Sequence, residues 1–421
     1  GPLSARFYDY PARDLEVIGI TGTNGKTTSC AILESILRSA GRSVGVIGTV
    51  GYRWGEVDID GPNTTPESLV LQRLLGRMRE DGVETVVMEV SSHALATHRM
   101  RGTEIDAALF TNLSQDHLDF HGDMAAYRAT KERLFRELLS RSASPEEPGA
   151  AVLNVDDPVG LDLAADLGEC ESVDVWRFSA EGRPAEVVAE PIEATLEGTT
   201  LEIRADGQAT TVEVSLLGDF NVANCAGAIA VGLASGLDFE QLRGGLASIE
   251  AIPGRLERVP AAHGPAVFVD YAHTPDALER VLATLRPLTA GRLVVVFGCG
   301  GDRDTDKRPK MGRVGWEGAD WTVVTSDNPR TEDPETIIAG ILGGIEGHRL
   351  ARVADLAELD AGVAVQPDRG RAIEEAIATA EPEDVVVIAG KGHEDYQESD
   401  GERRPFDDLR RASEALSAIR P

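Results

Sequence analysis

Thr21-Gly22-Thr23-Asn24-Gly25-Lys26-Thr27-Thr28 packs two glycines, a lysine and four threonine hydroxyls into eight residues. Such a stretch can bind phosphate, because successive backbone N–H groups and a helix N-terminus form a cradle for an anion. Lys26 would reach the terminal phosphates of a nucleotide, and the Thr27 hydroxyl would meet its Mg2+. The flanks supply the elements that this chemistry needs. Leu15 to Ile20 reads as a short buried strand, and Ala31, Ile32, Leu33, Ile36 and Leu37 recur at helical spacing after the turn. The general phosphate-loop pattern wants a glycine where Ile20 stands, but strand, turn and helix in this order still read as a nucleotide-binding loop.

Further chemistry follows at other strand ends. Val86-Val87-Met88-Glu89-Val90 runs into Ser91-Ser92-His93, which puts a carboxylate where it could hold Mg2+ directly or through water. The bland alternative is an ordinary strand-end charge. The strand ending at Phe110-Thr111-Asn112 leads to Asp116-His117-Leu118-Asp119-Phe120-His121, and two His and two Asp in six residues favour a metal or phosphate role for at least one. Lys131 falls on a helical stretch from Tyr127 to Leu138 and, taken alone, reads as solvated. Asn63-Thr64-Thr65-Pro66 could grip a substrate, but locally it reads as a helix cap before Glu67. Farther along, Asp270-Tyr271-Ala272-His273, Gly298 to Arg303, Asp327-Asn328-Pro329-Arg330 and Gly390-Lys391-Gly392-His393-Glu394 each follow a strand-like run. In a parallel sheet these four turns share one rim, which reads as a second ligand site.

The elements that must position these residues form an α/β pattern. Strand-like runs at 15–20, 44–50, 84–90, 106–111 and 151–155 alternate with helices, as in a doubly wound parallel sheet. Between about 170 and 216, alternating apolar and polar residues around Glu197-Gly198 and Asp206-Gly207 predict a small antiparallel β insert. Pro253-Gly254 then breaks the chain, with Arg255 at the hinge. The expected division is a phosphate-loop central domain, residues 1–252, and a Rossmann-like α/β C-terminal domain, residues 253–421, with a ligand cleft between them.

Composition narrows the function. A net charge of −30 (41 − 71) argues against a nucleic-acid or anionic-membrane partner. No apolar run approaches a membrane span, and the scattered Cys30, Cys170, Cys225 and Cys299 suggest neither a zinc ribbon nor a disulfide framework. A cytoplasmic, monomeric protein acting on small molecules is expected, and Gly1-Pro2-Leu3-Ser4 reads as a cleavage scar. Lysine is scarce: only Lys26, Lys131, Lys307, Lys310 and Lys391 stand against 36 arginines. Such a chain should keep lysine where a guanidinium cannot substitute, as at a compact phosphate ligand or a reactive amine.

Taken in order, Gly22 to Thr28, Asn63 to Pro66, Glu89 to His93, Asp116 to Asp119, Asp270 to His273 and Asp327 to Arg330 closely resemble the motifs of the Mur ligases. The likeness is nearest to the members that add meso-diaminopimelate to UDP-N-acetylmuramoyl-L-alanyl-D-glutamate, and it runs from about Phe7 to about Asp408. It implies that Gly22, Thr23, Asn24, Gly25, Lys26, Thr27 and Thr28 bind ATP, assisted by Asn221, Arg255 and Asp270. Thr27, Glu89 and His117 would hold two Mg2+ ions. Lys131 matches the family's carbamylated lysine, whose carbamate supports one of them, so Lys26, Lys131 and His117 would form the catalytic set. Asn63, Thr64, Thr65, Ser91, Thr97 and Arg99 would contact the muramoyl dipeptide, although Thr97 stands where the family often has glutamine. Arg303, Asp327, Asn328, Pro329, Arg330, Gly390 and Glu394 would bind the incoming amino acid.

The resemblance also implies a reaction. ATP would phosphorylate the D-glutamyl γ-carboxylate, the diaminopimelate amine would attack the acyl phosphate, and closure of the second domain would exclude water. In this family Asp-Asn-Pro-Arg marks diaminopimelate over lysine, since an arginine can pair with the distal carboxylate that lysine lacks. The likeness starts immediately before the phosphate-loop strand, so the family's N-terminal uridine-binding domain is expected to be lacking and uridine binding weak. The alternatives are a two-domain ligase with an acceptor that carries no UDP, and a non-catalytic ATP-binding subunit.

Overall fold

Val17, Ile18 and Ile20 are all fully buried, so this strand shows no polar face and must be covered on both sides. It is the centre of the first of two compact units. The structure, a computed structural model, describes residues 1–139, 148–345, 350–351, 353, 355 and 361–419. One unit comprises Gly1–Ala194, Gly198–Ser215 and Asp219–Glu250, and the other Thr195–Glu197, Leu216–Gly218 and Ala251–Pro421.

Among the described residues the first unit is built on eleven strands: β1 (Glu16–Thr21), β2 (Val44–Gly48), β3 (Gly51–Trp54), β4 (Val57–Ile59), β5 (Thr85–Glu89), β6 (Ala107–Phe110), β7 (Gly149–Asn154), β8 (Val173–Ser179), β9 (Val187–Thr195), β10 (Gly198–Ala205) and β11 (Gln208–Val214). Their order is β11-β10-β9-β8-β7-β6-β1-β5-β2-β3-β4. From β2 across β5, β1, β6 and β7 to β8 every pairing is parallel. Register then decides the site: Ile20 lies opposite Glu89, and Thr21 opposite Phe110, so the turns after β1, β5 and β6 emerge at one edge. Chain order reverses on the two sides of β1, the usual place for a ligand crevice in such a sheet.

The expected antiparallel insert is only partly so. β10 and β11 form an antiparallel hairpin, but Val187 and Val188 pair in parallel with Phe178 and Ser179, and the segment continues the central sheet. Alternating polarity reports a half-exposed strand in either direction, which is why the pattern missed the parallel pairing. No helix among the described residues is long and apolar enough to cross a membrane.

The second unit has its own sheet, formed by β12 (Glu257–Arg258), β13 (Ala266–Asp270), β14 (Leu293–Phe297), β15 (Trp321–Val324), β16 (Leu350–Ala351), β17 (Gly362–Val365) and β18 (Val385–Ala389). The order is β12-β13-β18-β14-β15-β17-β16, parallel throughout except for β12. Asp270 and Phe297 both lie opposite Ala389, and Phe297 opposite Val324, so the turns after β13, β14, β15 and β18 share a rim. A separate hairpin, β19 (Tyr396–Ser399) with β20 (Glu402–Pro405), follows. Beneath the rim, Arg369 and Asp408 make a fully buried two-pronged pair, with bonds of 2.8 and 2.6 Å. The Arg369 guanidinium also donates to the Ala389 carbonyl at 3.0 Å, so a charge that is costly to bury is used to fix the end of β18.

The helix Lys26–Ser39, which starts at the phosphate loop, is held from behind by the helix Phe239–Ala247. The approach requires Gly245, where a Cβ would lie 2.4 Å from Ile36 Cα, whereas a Cβ at Gly244 would meet only Ser39 Oγ at 3.7 Å. Gly245→Ala is therefore expected to cost about 1–3 kcal/mol through overpacking. Gly244→Ala should be neutral or stabilising, through helix propensity. Urea unfolding of the two variants checks this, and equal midpoints would show that the helices are not in close contact.

Candidate functional site

The phosphate loop is shaped by glycine and fastened by its neighbours. Gly22 and Gly25 have φ of +154° and +86°, and a Cβ at Gly22 would lie 1.8 Å from Thr111 Oγ1. The turn after β6 grips the loop from the side: Thr111 Oγ1 donates to the Asn24 carbonyl at 2.6 Å, and Asn24 N–H donates to Asn112 Oδ1 at 3.0 Å. Thr23 N–H bonds the Asn112 carbonyl at 2.9 Å, and Thr23 Oγ1 accepts from Ser114 N–H and lies 3.2 Å from the Tyr127 hydroxyl. Ile20 belongs to β1 and is fully buried, so the turn opens only at Gly22, and the departure from the general pattern lies in the strand. Gly25 caps the helix that begins at Lys26, with Thr27 and Thr28 buried in its first turn.

Two amines converge on this loop. Lys26 Nζ donates to the carbonyls of Gly22 (2.9 Å) and Thr23 (2.8 Å), and Lys131 Nζ donates to the same Gly22 carbonyl at 2.7 Å. Lys131 is only 2% exposed, with its Nζ 4.7 Å from the Tyr127 ring centroid, so the reading of a solvated helical lysine is wrong. Its helix, Met124–Arg133, turns it under the loop, which nothing in its local sequence reports. Burial, and secondarily the Lys26 charge, hold the Lys131 amine well below the ordinary lysine range, against a weaker opposing pull from Asp116.

Glu89, at the end of β5, is also buried. Its carboxylate accepts from Thr27 Oγ1 at 3.1 Å on both oxygens, from Thr49 N–H at 2.8 Å and from Thr49 Oγ1 at 3.1 Å. A buried carboxylate that accepts from these neutral donors, with a threonine hydroxyl beside it, fits a hard divalent cation that takes its other ligands from phosphate and water. His117, in a left-handed conformation (φ +52°), sits in a ring cluster, 4.8 Å from His93 and 6.3 Å from Tyr127 by centroids, and its Nε2 lies 3.4 Å from Asp116 Oδ2. His121 adjoins Tyr127, and burial lowers the pKa of both His93 and His121. Among the described residues no three His, Cys, Asp or Glu side chains are grouped to hold a metal by themselves.

A polar network borders Glu89. Thr65 Oγ1 donates to the Glu89 carbonyl at 2.8 Å and accepts from Ser91 N–H at 3.0 Å, while Thr64 Oγ1 lies 3.0 Å from Thr49 Oγ1. Asn63 accepts the Tyr52 hydroxyl at its carbonyl (2.6 Å). The expected helix cap is not formed: the helix Ser68–Glu80 is capped by Glu67 without a side-chain bond, because Thr65 is committed to β5 instead. Arg99 donates to the Thr65 carbonyl at 3.0 Å and pairs with Glu67 at 2.9 Å, and Thr97 Oγ1 donates to the His93 carbonyl. Asn221 accepts from Asn224 at 3.0 Å. Asn224, which lies in no motif of the sequence, stands where a Cβ on Gly25 would meet its Oδ1 at 2.3 Å.

The second unit gathers the remaining candidates at its own rim. Asp270 is buried and accepts from Leu256 and Ala272 N–H at 2.7 Å each; burial raises its pKa, with Arg255 opposing. The Arg255 guanidinium stands 5.0 Å from the Tyr271 ring. Arg330, at φ +53°, donates Nη1 to the Gly301 carbonyl at 2.8 Å. Asn328 Nδ2 donates to Glu394 Oε2 at 2.8 Å, and a Cβ at Gly390 would stand 3.3 Å from Asp327 Oδ2. Pro329 closes over Gly301, where a Cβ would meet the Pro329 carbonyl at 1.9 Å. Arg303 is exposed, with Nη1 3.4 Å from the Asp302 carbonyl.

Comparison with known proteins places both units. Residues 20–232 match the Mur ligase middle domain, and residues 254–392 the Mur ligase glutamate ligase domain. The chain belongs to the Mur ligase family. Members similar to it include UDP-N-acetylmuramoyl-L-alanyl-D-glutamate--2,6-diaminopimelate ligases of Gloeobacter violaceus, 45% identical over 99% of this chain and 80% of the relative, and of Geobacter metallireducens, 45% identical over 99% and 81%. A solved structure of an enzyme of that name matches at a TM-score of 0.70 and 34% identity, covering 99% of this chain and 83% of that one. Mycobacterium tuberculosis folylpolyglutamate synthase complexed with ADP has the same fold, with a TM-score of 0.70 at 20% identity.

Within this Mur ligase chain, the buried Lys131 makes a pH-dependent demand on stability. Its folded pKa lies below that of the unfolded chain, so between the two the unfolded state binds more protons and stability rises with pH. Lys131→Met should therefore stabilise the first unit at pH 7 in carbonate-free buffer, with a gain that shrinks as pH rises through the ordinary lysine range near 10.4. Denaturation at pH 7 and pH 10 measures it; a gain independent of pH would mean that Lys131 is not strained by burial.

Proposed function

We propose that this chain is the ATP-dependent ligase that joins meso-diaminopimelate to the D-glutamyl γ-carboxylate of UDP-N-acetylmuramoyl-L-alanyl-D-glutamate in peptidoglycan synthesis. The observation that carries this reading is the 45% identity, over 99% of the chain, to ligases named for that reaction. The Lys26, Thr27, Glu89 and Lys131 arrangement supports it, since a non-catalytic nucleotide-binding subunit has no need of it.

The phosphate loop and the Lys26–Ser39 helix N-terminus take the ATP phosphates, and Lys26 Nζ exchanges its loop carbonyls for phosphate oxygens. Thr27, Glu89, His117 and the carbamate of Lys131 are the groups that would hold Mg2+. When bound, Mg2+ neutralises charge on the transferring phosphoryl group. Burial of Lys131 favours the neutral amine, the form that adds CO2; one N–H proton is lost as the N–C bond forms. Asn63, Thr64, Thr65, Ser91, Thr97 and Arg99 receive the muramoyl dipeptide, whose γ-carboxylate oxygen attacks the γ-phosphorus and releases ADP. The diaminopimelate amine then attacks the acyl carbon, and phosphate departs with the C–O bond to the acyl group broken and an amide formed. Asn221, Arg255 and Asp270 assist with the nucleotide.

In the second unit, Arg303, Asp327, Asn328, Pro329, Arg330, Gly390 and Glu394 form the amino-acid site. Arg330 pairs with the distal carboxylate of diaminopimelate, and Glu394 faces an ammonium. Phosphate release and amide product, followed with ATP, the UDP-muramoyl dipeptide and either diaminopimelate or lysine, test the reading. Diaminopimelate should be strongly preferred. Arg330→Ala should lose about 2–5 kcal/mol of binding for diaminopimelate, seen as a raised KM and a narrowed preference. An unchanged preference would remove Arg330 from the site.

A further inference from the structure

Among the described residues only Lys131 and Lys391 are buried lysines, and neither the fold nor the proposed reaction has used Lys391. Its side chain has no exposure. Nζ donates to Asn328 Oδ1 at 2.8 Å and to the Tyr396 carbonyl at 2.7 Å, and lies 3.3 Å from Asp327 Oδ1 and 3.7 Å from Glu394 Oε2. We infer that Lys391 is a positioning residue for the amino-acid site, fixing the way the Asn328 amide faces and the way Arg330 is presented. The inference deepens the ligase reading and rests on it.

The Asn328 amide has one orientation that satisfies its neighbours. Lysine only donates and an ionised carboxylate only accepts, so the amide oxygen must face Lys391 and the nitrogen Glu394. The backbone N–H of Glu398 supplies a second donor to the same oxygen at 2.9 Å. Glu398 belongs to β19, whose first residue is the Tyr396 that accepts from Lys391. The same hairpin segment holds Arg330: Arg330 N–H donates to the Glu398 carbonyl at 3.0 Å, and Asp400 N–H to the Arg330 carbonyl at 2.6 Å. These bonds keep an arginine in a left-handed conformation that its side chain disfavours. Lys391 thus joins the turn that carries Asn328 and Arg330 to the hairpin that clamps it. A tetrahedral ammonium can serve Asn328, Tyr396 and Asp327 from one point, and a planar guanidinium cannot, which explains a lysine here among 36 arginines.

The test is steady-state ligation by Lys391→Met and Lys391→Arg in the full chain, with folding checked by thermal unfolding and by ATP binding. In Lys391→Met the KM for diaminopimelate should rise by about tenfold or more, as expected for lost charge-assisted bonds, and the preference over lysine should narrow. The KM for ATP and the kcat at saturation should stay within about threefold of wild type, the pattern of lost ground-state positioning. Lys391→Arg should not restore the wild-type KM. A folded Lys391→Met with unchanged KM and preference overturns the inference alone, whereas wild-type protein that forms no amide with diaminopimelate removes the ligase reading and the inference together. Should Lys391→Met fail to fold, the charge-balanced Lys391→Gln/Asp327→Asn variant is compared with Asp327→Asn. A further tenfold rise in KM on adding Lys391→Gln supports positioning; no further rise, or no folded protein, shows a purely structural lysine and overturns it.

Discussion

The carbonyl oxygen of Gly22 accepts two lysine amines, Lys26 Nζ at 2.9 Å and Lys131 Nζ at 2.7 Å. Burial disfavours the charge on Lys131, and the Lys26 charge at the same oxygen adds to this against a weaker pull from Asp116. Everything around the phosphate loop contributes to holding this arrangement. β1 delivers Gly22 to the sheet edge, the register of β1 against β5 brings Glu89 to the same edge, and Thr111 and Asn112 lock the loop from β6. A carbamate on Lys131 would convert a repelling cation into an anion beside Lys26 and give Mg2+ a carboxylate-like ligand.

The second unit solves a related problem in the opposite way. Lys391 is as buried as Lys131 and burial lowers its pKa too, but Asp327 and Glu394 stand close by and oppose that shift. The ammonium there serves as a fixed joint, as does the Arg369 guanidinium beneath the rim. Lys131 has only the weak counter-charge of Asp116, whereas Lys391 lies 3.3 Å and 3.7 Å from two carboxylates.

What was legible in the sequence was local. The phosphate loop could be read because strand, turn and helix are contiguous, and Glu89 because a strand end in a parallel sheet places its next residues at the ligand edge. The rim of the second unit followed from the same rule. What was not legible depends on distant partners. Lys131 is buried by a carbonyl 109 residues away, Thr65 bonds a strand 24 residues on, and Lys391 reaches Asn328 across 63 positions. Lys131 and Thr65 looked bland in their own windows, and for Lys391 the turn was legible but its partners were not. Residue-by-residue likeness to the Mur ligases pointed to Lys131 and Thr65. It did not point to Lys391, Asn224 or the Arg369–Asp408 pair, which act through other residues.

The direct measurement is a 13C spectrum of wild-type protein and of Lys131→Met, each equilibrated with 13C-bicarbonate. One carbamate resonance is expected in the wild-type protein and none in the variant, with ligation lost alongside the resonance when CO2 is removed. A wild-type protein that forms the amide at full rate in CO2-free buffer, with Lys131 unmodified, would contradict the role given to that lysine.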